Sequence, residues 1–381
     1  MALKKERIAI FRRDLMGGGA ERVLVNLASC FIDYGLEVDI VLSRAEGPLL
    51  KSVPSQARII DLKASEYDKG KGLKLPTSFS SLSSLPKLVS YLKKERPKAM
   101  LAASHYSNEI AVLAKLLARV STKVVVSEHI ALSIQAKQAE QLSSRFASTT
   151  AKFLYRFADG IVAVSEGVAE DLAQVAKLPL KRIKVIYNPV ITPELLEKAK
   201  EPTEHPWFAP GEPPVILGVG RLVKQKDFST LIKAFAQVQA IKPSRLVILG
   251  TGREEKSLQS LITELNLTDK VALLGFVDNP SAYMAQAAVF VFSSLWEGFG
   301  NVLVEAMATG TSVISTDCES GPAEILDNGK YGHLVPVGDT NAIADAIIEV
   351  FSGNTKSLNS DWLEQFKLET VTKKYMDILQ V

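Results

Sequence analysis

An α/β protein made of two tandem parallel-sheet domains is the fold class the sequence predicts, on three observations. Short β-branched segments alternate with amphipathic stretches along nearly the whole chain, the pattern of parallel strands joined by crossover helices. The alternation stops in a proline- and charge-rich stretch, residues 188–214, and then restarts. With 381 residues and 47% hydrophobic content, the chain is long enough to bury two cores.

The first series of strands reads "RIAIF" (7–11), "EVDIVL" (37–42), "KAMLAAS" (98–104), "KVVVSE" (123–128) and "GIVAVS" (160–165), each followed by a helical period. The second reads "VILGVG" (215–220), "RLVILG" (245–250), "KVALLGF" (270–276), "VFVFSS" (289–294) and "TSVIST" (311–316). Two Rossmann-like domains follow, residues 1–192 and 193–381, with the last helix free to pack back on the first domain. Parallel α/β sheets bind ligands beyond the carboxyl ends of their strands, so the site is expected in the cleft between the domains. Residues 63–80 lack strand or helix periodicity and read as a mobile loop, expected to shape the acceptor side of the site. From Leu82 the chain turns helical, with Leu85, Leu88, Val89 and Leu92 on one side and Lys87, Lys93, Lys94, Arg96 and Lys98 nearby. That helix either lies on a membrane surface or packs on the sheet with a solvated basic end.

Composition excludes several classes. No apolar run approaches the roughly 20 residues of a membrane span, and the N-terminus lacks the continuous apolar core of a signal peptide. A cytoplasmic protein is expected. Cys30 and Cys318 are the two cysteines and have no metal-type spacing, which excludes a disulfide scaffold and a cysteine-rich zinc site. The net charge of +3 conceals an asymmetry: residues 1–190 hold 29 Lys+Arg against 18 Asp+Glu, leaving 16 against 24 in residues 191–381. A basic first half suits an anionic membrane or an anionic substrate.

Four stretches carry the chemistry. After the first strand, Gly17, Gly18 and Gly19 precede a helix, where bare amides and the helix dipole favour an anion. The run lacks both a dinucleotide fingerprint and the lysine of a P-loop. After "VILGVG", Arg221 and Lys226 share one short loop, a placement suited to a diphosphate, with Arg spanning two oxygens and Lys acting as a point charge. In "WEGFGNVLVEA" (296–306), Gly298 and Gly300 expose amides at a helix start. Glu305 falls on the second turn among Val304, Ala306 and Met307, a costly place for a carboxylate unless something hydrogen-bonds it. A ribose diol offers two donors, and Glu297 is placed to hold pyranose hydroxyls. "DCE" (317–319) resembles an acid-x-acid metal motif, but a loop after a buried strand explains it.

The order of glycine-rich first loop, "SEH" (127–129), "GRLVKQKD" (220–227) and E-x7-E as "EGFGNVLVE" (297–305) resembles the retaining nucleotide-sugar glycosyltransferases of family 4, over essentially the whole chain. "DCESGPAEIL" (317–326) further resembles a branch that builds bacterial polysaccharides and lipid-linked oligosaccharides. The resemblance implies the GT-B fold, two Rossmann-like domains facing each other. It implies that Arg221 and Lys226 bind the donor diphosphate, that Glu305 holds the ribose, and that Glu297 and the amides of Gly298, Phe299, Gly300 and Asn301 position the transferred sugar. Backbone at Phe276 and Val277 would receive the base, the amides of Gly18 and Gly19 would face the phosphates, and His129 would contact the sugar near the reacting carbon. His105 is a candidate to approach the acceptor, whereas His205 and His333 read as structural. No metal or other cofactor is required, since the two cations neutralise the leaving group.

The function expected is transfer of a hexose or N-acetylhexosamine from a UDP-sugar to a lipid-linked or polysaccharide acceptor. The protein is expected to lie peripherally on the inner face of the plasma membrane through its basic first domain, with no nucleic-acid partner. A sugar-nucleotide epimerase or a soluble disaccharide synthase on the same fold stays open, as does a two-domain sugar-binding protein.

Overall fold

The computed structural model describes residues 5–64, 82–138 and 147–381. The greater part of the loop expected at 63–80 therefore lies outside the described residues. Two compact units divide the chain: residues 1–189 with 368–381, and residues 190–367. The boundary falls three residues before the expected 192/193 division, and the last fourteen residues belong to the first unit.

In the first unit, seven parallel strands run in the order β3-β2-β1-β4-β5-β6-β7: β1 (Arg7–Arg12), β2 (Glu37–Leu42), β3 (Arg58–Asp61), β4 (Ala99–Ala103), β5 (Lys123–Glu128), β6 (Gly160–Ala163) and β7 (Ile183–Val185). Helices α1 (Gly19–Asp33), α2 (Leu85–Glu95), α3 (His105–Ala118) and α4 (Ala147–Leu154) join or flank them. In the second unit, six parallel strands run β10-β9-β8-β11-β12-β13: β8 (Val215–Val219), β9 (Arg245–Leu249), β10 (Val271–Gly275), β11 (Val289–Phe292), β12 (Val313–Thr316) and β13 (His333–Val335). Here α5 (Phe228–Ile241) follows β8 and α6 (Asn301–Ala308) follows β11. The terminal helix α7 (Leu368–Leu379) returns to the first unit, burying Val371, Tyr375 and Leu379 in its core.

Burial on both faces explains why the central strands read clearly in the sequence. All four residues of β11 are buried, so it appears as an unbroken apolar run rather than an alternation. The strands absent from the sequence reading, β3, β7 and β13, are sheet edges of three or four residues. An edge strand packs on fewer neighbours and needs less apolar sequence.

The apolar stripe of α2 is packed inside the fold: Leu88 and Leu92 are fully buried, and Tyr91 donates a 2.7 Å hydrogen bond to the buried Asp39. Of the two readings of that helix this favours packing on the sheet, with Leu88 and Leu92 in the core and Leu85 and Val89 half-buried.

In both sheets the order reverses between two central strands, β1/β4 in the first unit and β8/β11 in the second. Loops leaving the carboxyl ends of such strands diverge and open a crevice. All the sequence-predicted site residues except Phe276, Val277 and His129 leave these four strands; Phe276 and Val277 follow β10, and His129 follows β5.

Candidate active site

The second unit holds the densest set of predicted residues. Beyond β8, Arg221 is exposed and makes no ion pair among the described residues. Five residues later Lys226 lays its stem over Gly220, where a Cβ would stand 3.3 Å from it, and its ammonium lies 4.8 Å from the centre of the Phe292 ring. Asp227 then caps α5, its carboxylate accepting from the Thr230 amide at 3.4 Å and the Thr230 hydroxyl at 2.6 Å, which fixes where the loop ends.

Across the switch point, the loop after β11 brings Glu297 to Lys226. The two form a largely buried ion pair, with side chains 14% and 11% exposed. Ser294 Oγ donates to the same carboxylate oxygen, Oε1, at 2.8 Å. Both ties use Oε1, and Oε2 has no hydrogen-bond partner among the described residues. Gln225 Nε2 bonds the Trp296 carbonyl at 2.8 Å and the Leu295 amide bonds the Gln225 carbonyl at 2.8 Å, locking the loops together.

Gly300 sits at φ +113 as the N-cap of α6, so the amides at the start of that helix are its leading donors. Gly321, in "SGP", lies so close that a Cβ would stand 1.8 Å from the Phe299 carbonyl oxygen. Glu305 is half-buried on the second turn of α6. At the end of β10, Phe276 is 72% exposed, an aromatic ring presented at the same sheet edge, and Val277 follows half-buried. The loops at 220, 250 and 275 are zipped edge to edge: Gly220 N donates to Leu249 O at 2.9 Å and Gly250 N to Gly275 O at 2.7 Å. Cys318 is buried, and burial together with the Glu297 carboxylate pushes its thiol up to about 12, so it stays protonated.

The first unit shows a different arrangement. Gly17 takes φ +100 and Gly18 caps α1, but Glu21 folds back over Gly18: a Cβ on Gly18 would stand 2.3 Å from Glu21 Oε2. Glu21 is buried and paired with Arg12, whose other guanidinium nitrogen donates to the Ala103 carbonyl at 2.9 Å. The chain's own carboxylate thus lies over Gly18, where phosphates were expected, a place less favourable to a second anion than bare amides.

His129 follows β5 and is half-buried. Its Nε2 lies 3.2 Å from Ser127 Oγ, which lies 3.3 Å from the Tyr375 hydroxyl, and its Nδ1 has no partner among the described residues. Burial, with the Arg12 guanidinium beside it, lowers its pKa, so the ring is neutral at physiological pH. His105, the candidate to approach the acceptor, is enclosed. It is 3% exposed, with Nε2 3.1 Å from Glu109 and Nδ1 3.6 Å from the buried Glu128, which also accepts from Asn108 at 3.1 Å and from Tyr155. Burial opposes its charge, but the two carboxylates outweigh that and raise its pKa to about 10. An enclosed imidazolium cannot reach an acceptor; it compensates buried carboxylates.

His205 accepts from the Trp207 amide through Nδ1 at 3.3 Å, and His333 Nε2 meets the Asn354 carbonyl at 3.2 Å. Asp317 and Glu319 are both exposed. Among the described residues, no group of three His, Cys, Asp or Glu is placed to hold a metal ion. Missing from the sequence reading were Arg12, Glu21 and Ser294. Glu21 had a signal, an acid three residues past the glycine N-cap; Arg12 and Ser294 had none.

Two family descriptions match the chain: Glycosyltransferase Family 4 over residues 17–193 and Glycosyl transferases group 1 over residues 200–366. An N-acetylgalactosamine-N,N'-diacetylbacillosaminyl-diphospho-undecaprenol 4-alpha-N-acetylgalactosaminyltransferase of Campylobacter jejuni is 34% identical over 89% of this chain and 88% of its own. The chain belongs to the family 4 glycosyltransferases. It is therefore a retaining, nucleotide-sugar-dependent glycosyltransferase. The lipopolysaccharide core biosynthesis glycosyltransferase LpsE of Rhizobium meliloti is 29% identical over 95% of this chain and 96% of its own. Among solved structures, HepE of Anabaena in complex with UDP superposes with a TM-score of 0.77 at 22% identity, covering 98% of this chain and 99% of that one. Sucrose-phosphate synthase of Thermosynechococcus elongatus does so with a TM-score of 0.81 at 21% identity, covering 99% and 98%. These likenesses show that the fold of this family 4 enzyme is GT-B.

Proposed function

We propose that this family 4 glycosyltransferase moves a hexose or N-acetylhexosamine from a UDP-sugar to a lipid-linked or polysaccharide acceptor at an anionic membrane. Support for the acceptor class comes from the Campylobacter relative, whose name places its substrate on diphospho-undecaprenol, and from LpsE, named for lipopolysaccharide core. The donor class draws support from HepE, whose structure contains UDP. The observation that carries the reading is the meeting of Lys226 and Glu297 at the β8/β11 switch point, with Arg221 exposed in the same loop as Lys226.

Each residue has a task that its surroundings suit. Arg221, exposed and without an ion pair among the described residues, supplies the net positive charge that draws the diphosphate in. Lys226 is held in place by Glu297, whose carboxylate is fixed in turn by the Ser294 hydroxyl, so it reaches the bridging region with little reorganisation. Glu297 keeps Oε2 for sugar hydroxyls, Glu305 takes the ribose diol, and Phe276 with the backbone at Val277 meets the base. As the bond from C1 to the β-phosphate breaks, the acceptor oxygen bonds C1 on the same face and its proton passes to the departing phosphate oxygen. The growing diphosphate charge is met by the two cations. His129, neutral, serves as a hydrogen-bond partner to substrate rather than as a cation.

A panel of UDP-sugars, assayed for UDP release and for label entering a lipid extract, tests the proposal. One sugar is expected to label the lipid fraction, and Glu305→Ala to abolish that labelling while the protein stays folded. Absence of UDP uptake by calorimetry would overturn the donor assignment.

A further inference from the structure

The two ring nitrogens of His129 meet different surroundings. Nε2 stands 3.2 Å from Ser127 Oγ, which stands 3.3 Å from the Tyr375 hydroxyl, 248 positions further along the chain on α7. Nδ1 is buried without a partner among the described residues, and Arg12 does not supply one: its Nε is likewise unpartnered, and its other two nitrogens go to the Ala103 carbonyl and to Glu21. Burial and the nearby Arg12 guanidinium lower the ring's pKa to about 3, so it is neutral, and burial pushes the Tyr375 hydroxyl up to about 12, so it keeps its proton. A neutral imidazole carries one proton, and the bond made by one nitrogen decides which of the two holds it. Tyr375 is 1% exposed, and Ser127 Oγ is the partner of its hydroxyl among the described residues. If Tyr375 donates to Ser127 and Ser127 donates to Nε2, both hydroxyl protons are used and a single group, Nδ1–H, stays unpaired. If Nε2 carries the proton and donates to Ser127, one hydroxyl proton has no acceptor and Nδ1 is left as an unpaired lone pair as well. Each buried polar group left unpaired costs free energy, so the first arrangement wins. The frame around it is fixed: the Ser127 carbonyl accepts from the Ser104 amide at 3.1 Å and from Asn108 Nδ2 at 3.0 Å, and Tyr375 is packed in the first unit's core with Val371 and Leu379.

We propose that Ser127, with Tyr375 donating to it, is a positioning residue that holds His129 as the Nδ1–H tautomer, so that the ring meets the transferred sugar as a hydrogen-bond donor to one of its oxygens. The inference rests on the reading of His129 as a contact to the sugar. His129 is half-buried at the end of β5, the strand beside β4 and its crevice, and Nδ1–H is the one hydrogen-bonding group of the ring that the fold leaves uncommitted. An N–H there asks for an oxygen lone pair. A ring in the other tautomer would turn its own lone pair toward that oxygen and repel it. A donor fixed before substrate arrives needs no reorganisation at the moment of reaction.

NMR spectra of the ring nitrogens in the isotope-labelled full chain, recorded near neutral pH without substrate, read the tautomer. The chain has four histidines, so His129→Gln assigns the signal. The wild type is expected to carry its proton on Nδ1 with Nε2 bare. In Ser127→Ala the proton should distribute over both nitrogens and kcat should fall about tenfold, the worth of one hydrogen bond in the transition state. UDP uptake by calorimetry should be unchanged in that variant, since the residues assigned to the nucleotide lie in the other unit, and this also confirms folding. Ser127→Thr keeps the hydroxyl and should restore the tautomer and most of kcat. Tyr375→Phe leaves Ser127 its proton for Nε2, so the tautomer should persist there with a smaller loss of kcat. A wild-type proton on Nε2, a Ser127→Ala variant with the wild-type tautomer, or a Ser127→Ala variant whose donor KM rises while kcat holds would each overturn the inference. Full kcat in His129→Gln would instead refute the sugar contact on which it rests; the tautomer is read without substrate, so the two failures are told apart.

Discussion

Replacing Lys226 by Met should damage the protein in two separable ways. The first is structural: Glu297 is 8% exposed and its carboxylate is met by Lys226 and by the Ser294 hydroxyl. Removing the cation leaves a largely buried carboxylate with one neutral donor. A fully buried pair broken this way costs about 3–5 kcal/mol, and with some solvent access at both side chains about 2–4 kcal/mol is the expectation here. The second is catalytic. A unit charge about 4 Å from a phosphate oxygen is worth about 4 kcal/mol at an effective dielectric constant of about 20. Only the part that grows as the diphosphate departs lowers the barrier, so a loss of about 10²-fold in kcat is expected. The double variant Lys226→Met/Glu297→Gln separates the two effects, because a neutral amide no longer needs the cation. Urea unfolding of the double variant should recover at least half of the lost stability, while UDP release from the donor rises no higher than in the single variant. Stability unrecovered in the double variant would falsify the account of the pair; full kcat in Lys226→Met would refute the leaving-group assignment.

Arg221→Ala should leave the urea midpoint within the range of an ordinary surface change, about 0.5 kcal/mol, because the side chain is exposed and makes no ion pair among the described residues. Its effect should appear in donor KM, with Arg221→Lys recovering part of it. Gly321→Ala places a Cβ 1.8 Å from the Phe299 carbonyl oxygen at φ +103, so a loss of about 2 kcal/mol or more is expected, together with weaker UDP binding as the 298–300 loop shifts; wild-type calorimetry from this variant would contradict the packing described. His105 is protonated in the fold with its pKa raised to about 10, against about 6.5 in the unfolded chain. Its contribution is fully present below about pH 6.5 and is lost as pH rises through 10, at up to about 1.4 kcal/mol per pH unit. Urea midpoints between pH 6 and 10 should show that decline, and His105→Gln should be less stable at pH 7 and flatter over the same range.

Much of the candidate site was legible because its signals are local. Arg221 and Lys226 follow a readable strand by a few residues, and Glu305 stands out as an acid in the apolar run of a short helix. The points the sequence left open share one cause. The helix from Leu85 could be read as packed on the sheet or as lying on a membrane, because its partners, including Asp39 at the other end of a 52-residue separation, cannot be seen from its own sequence. That Glu21 lies over Gly18 had a local signal, an acid three residues past the N-cap, but its pairing with Arg12 did not. His105 stayed a candidate for the acceptor because its enclosure by Glu128 and Tyr155 depends on two other elements of the fold.

The periodicity of apolar residues, the glycine positions and the proline-rich joint are properties of the chain itself, and they determined two parallel α/β sheets with chemistry at the strand ends. The pairing of Lys226 with Glu297, 71 positions apart, was decided by the tertiary structure, as was the assignment of α7 to the first unit. Backbone periodicity responds to which residues face a core, over a few positions at a time. Which charge meets which depends on strand order, and strand order is settled only when the whole sheet closes its hydrogen bonds.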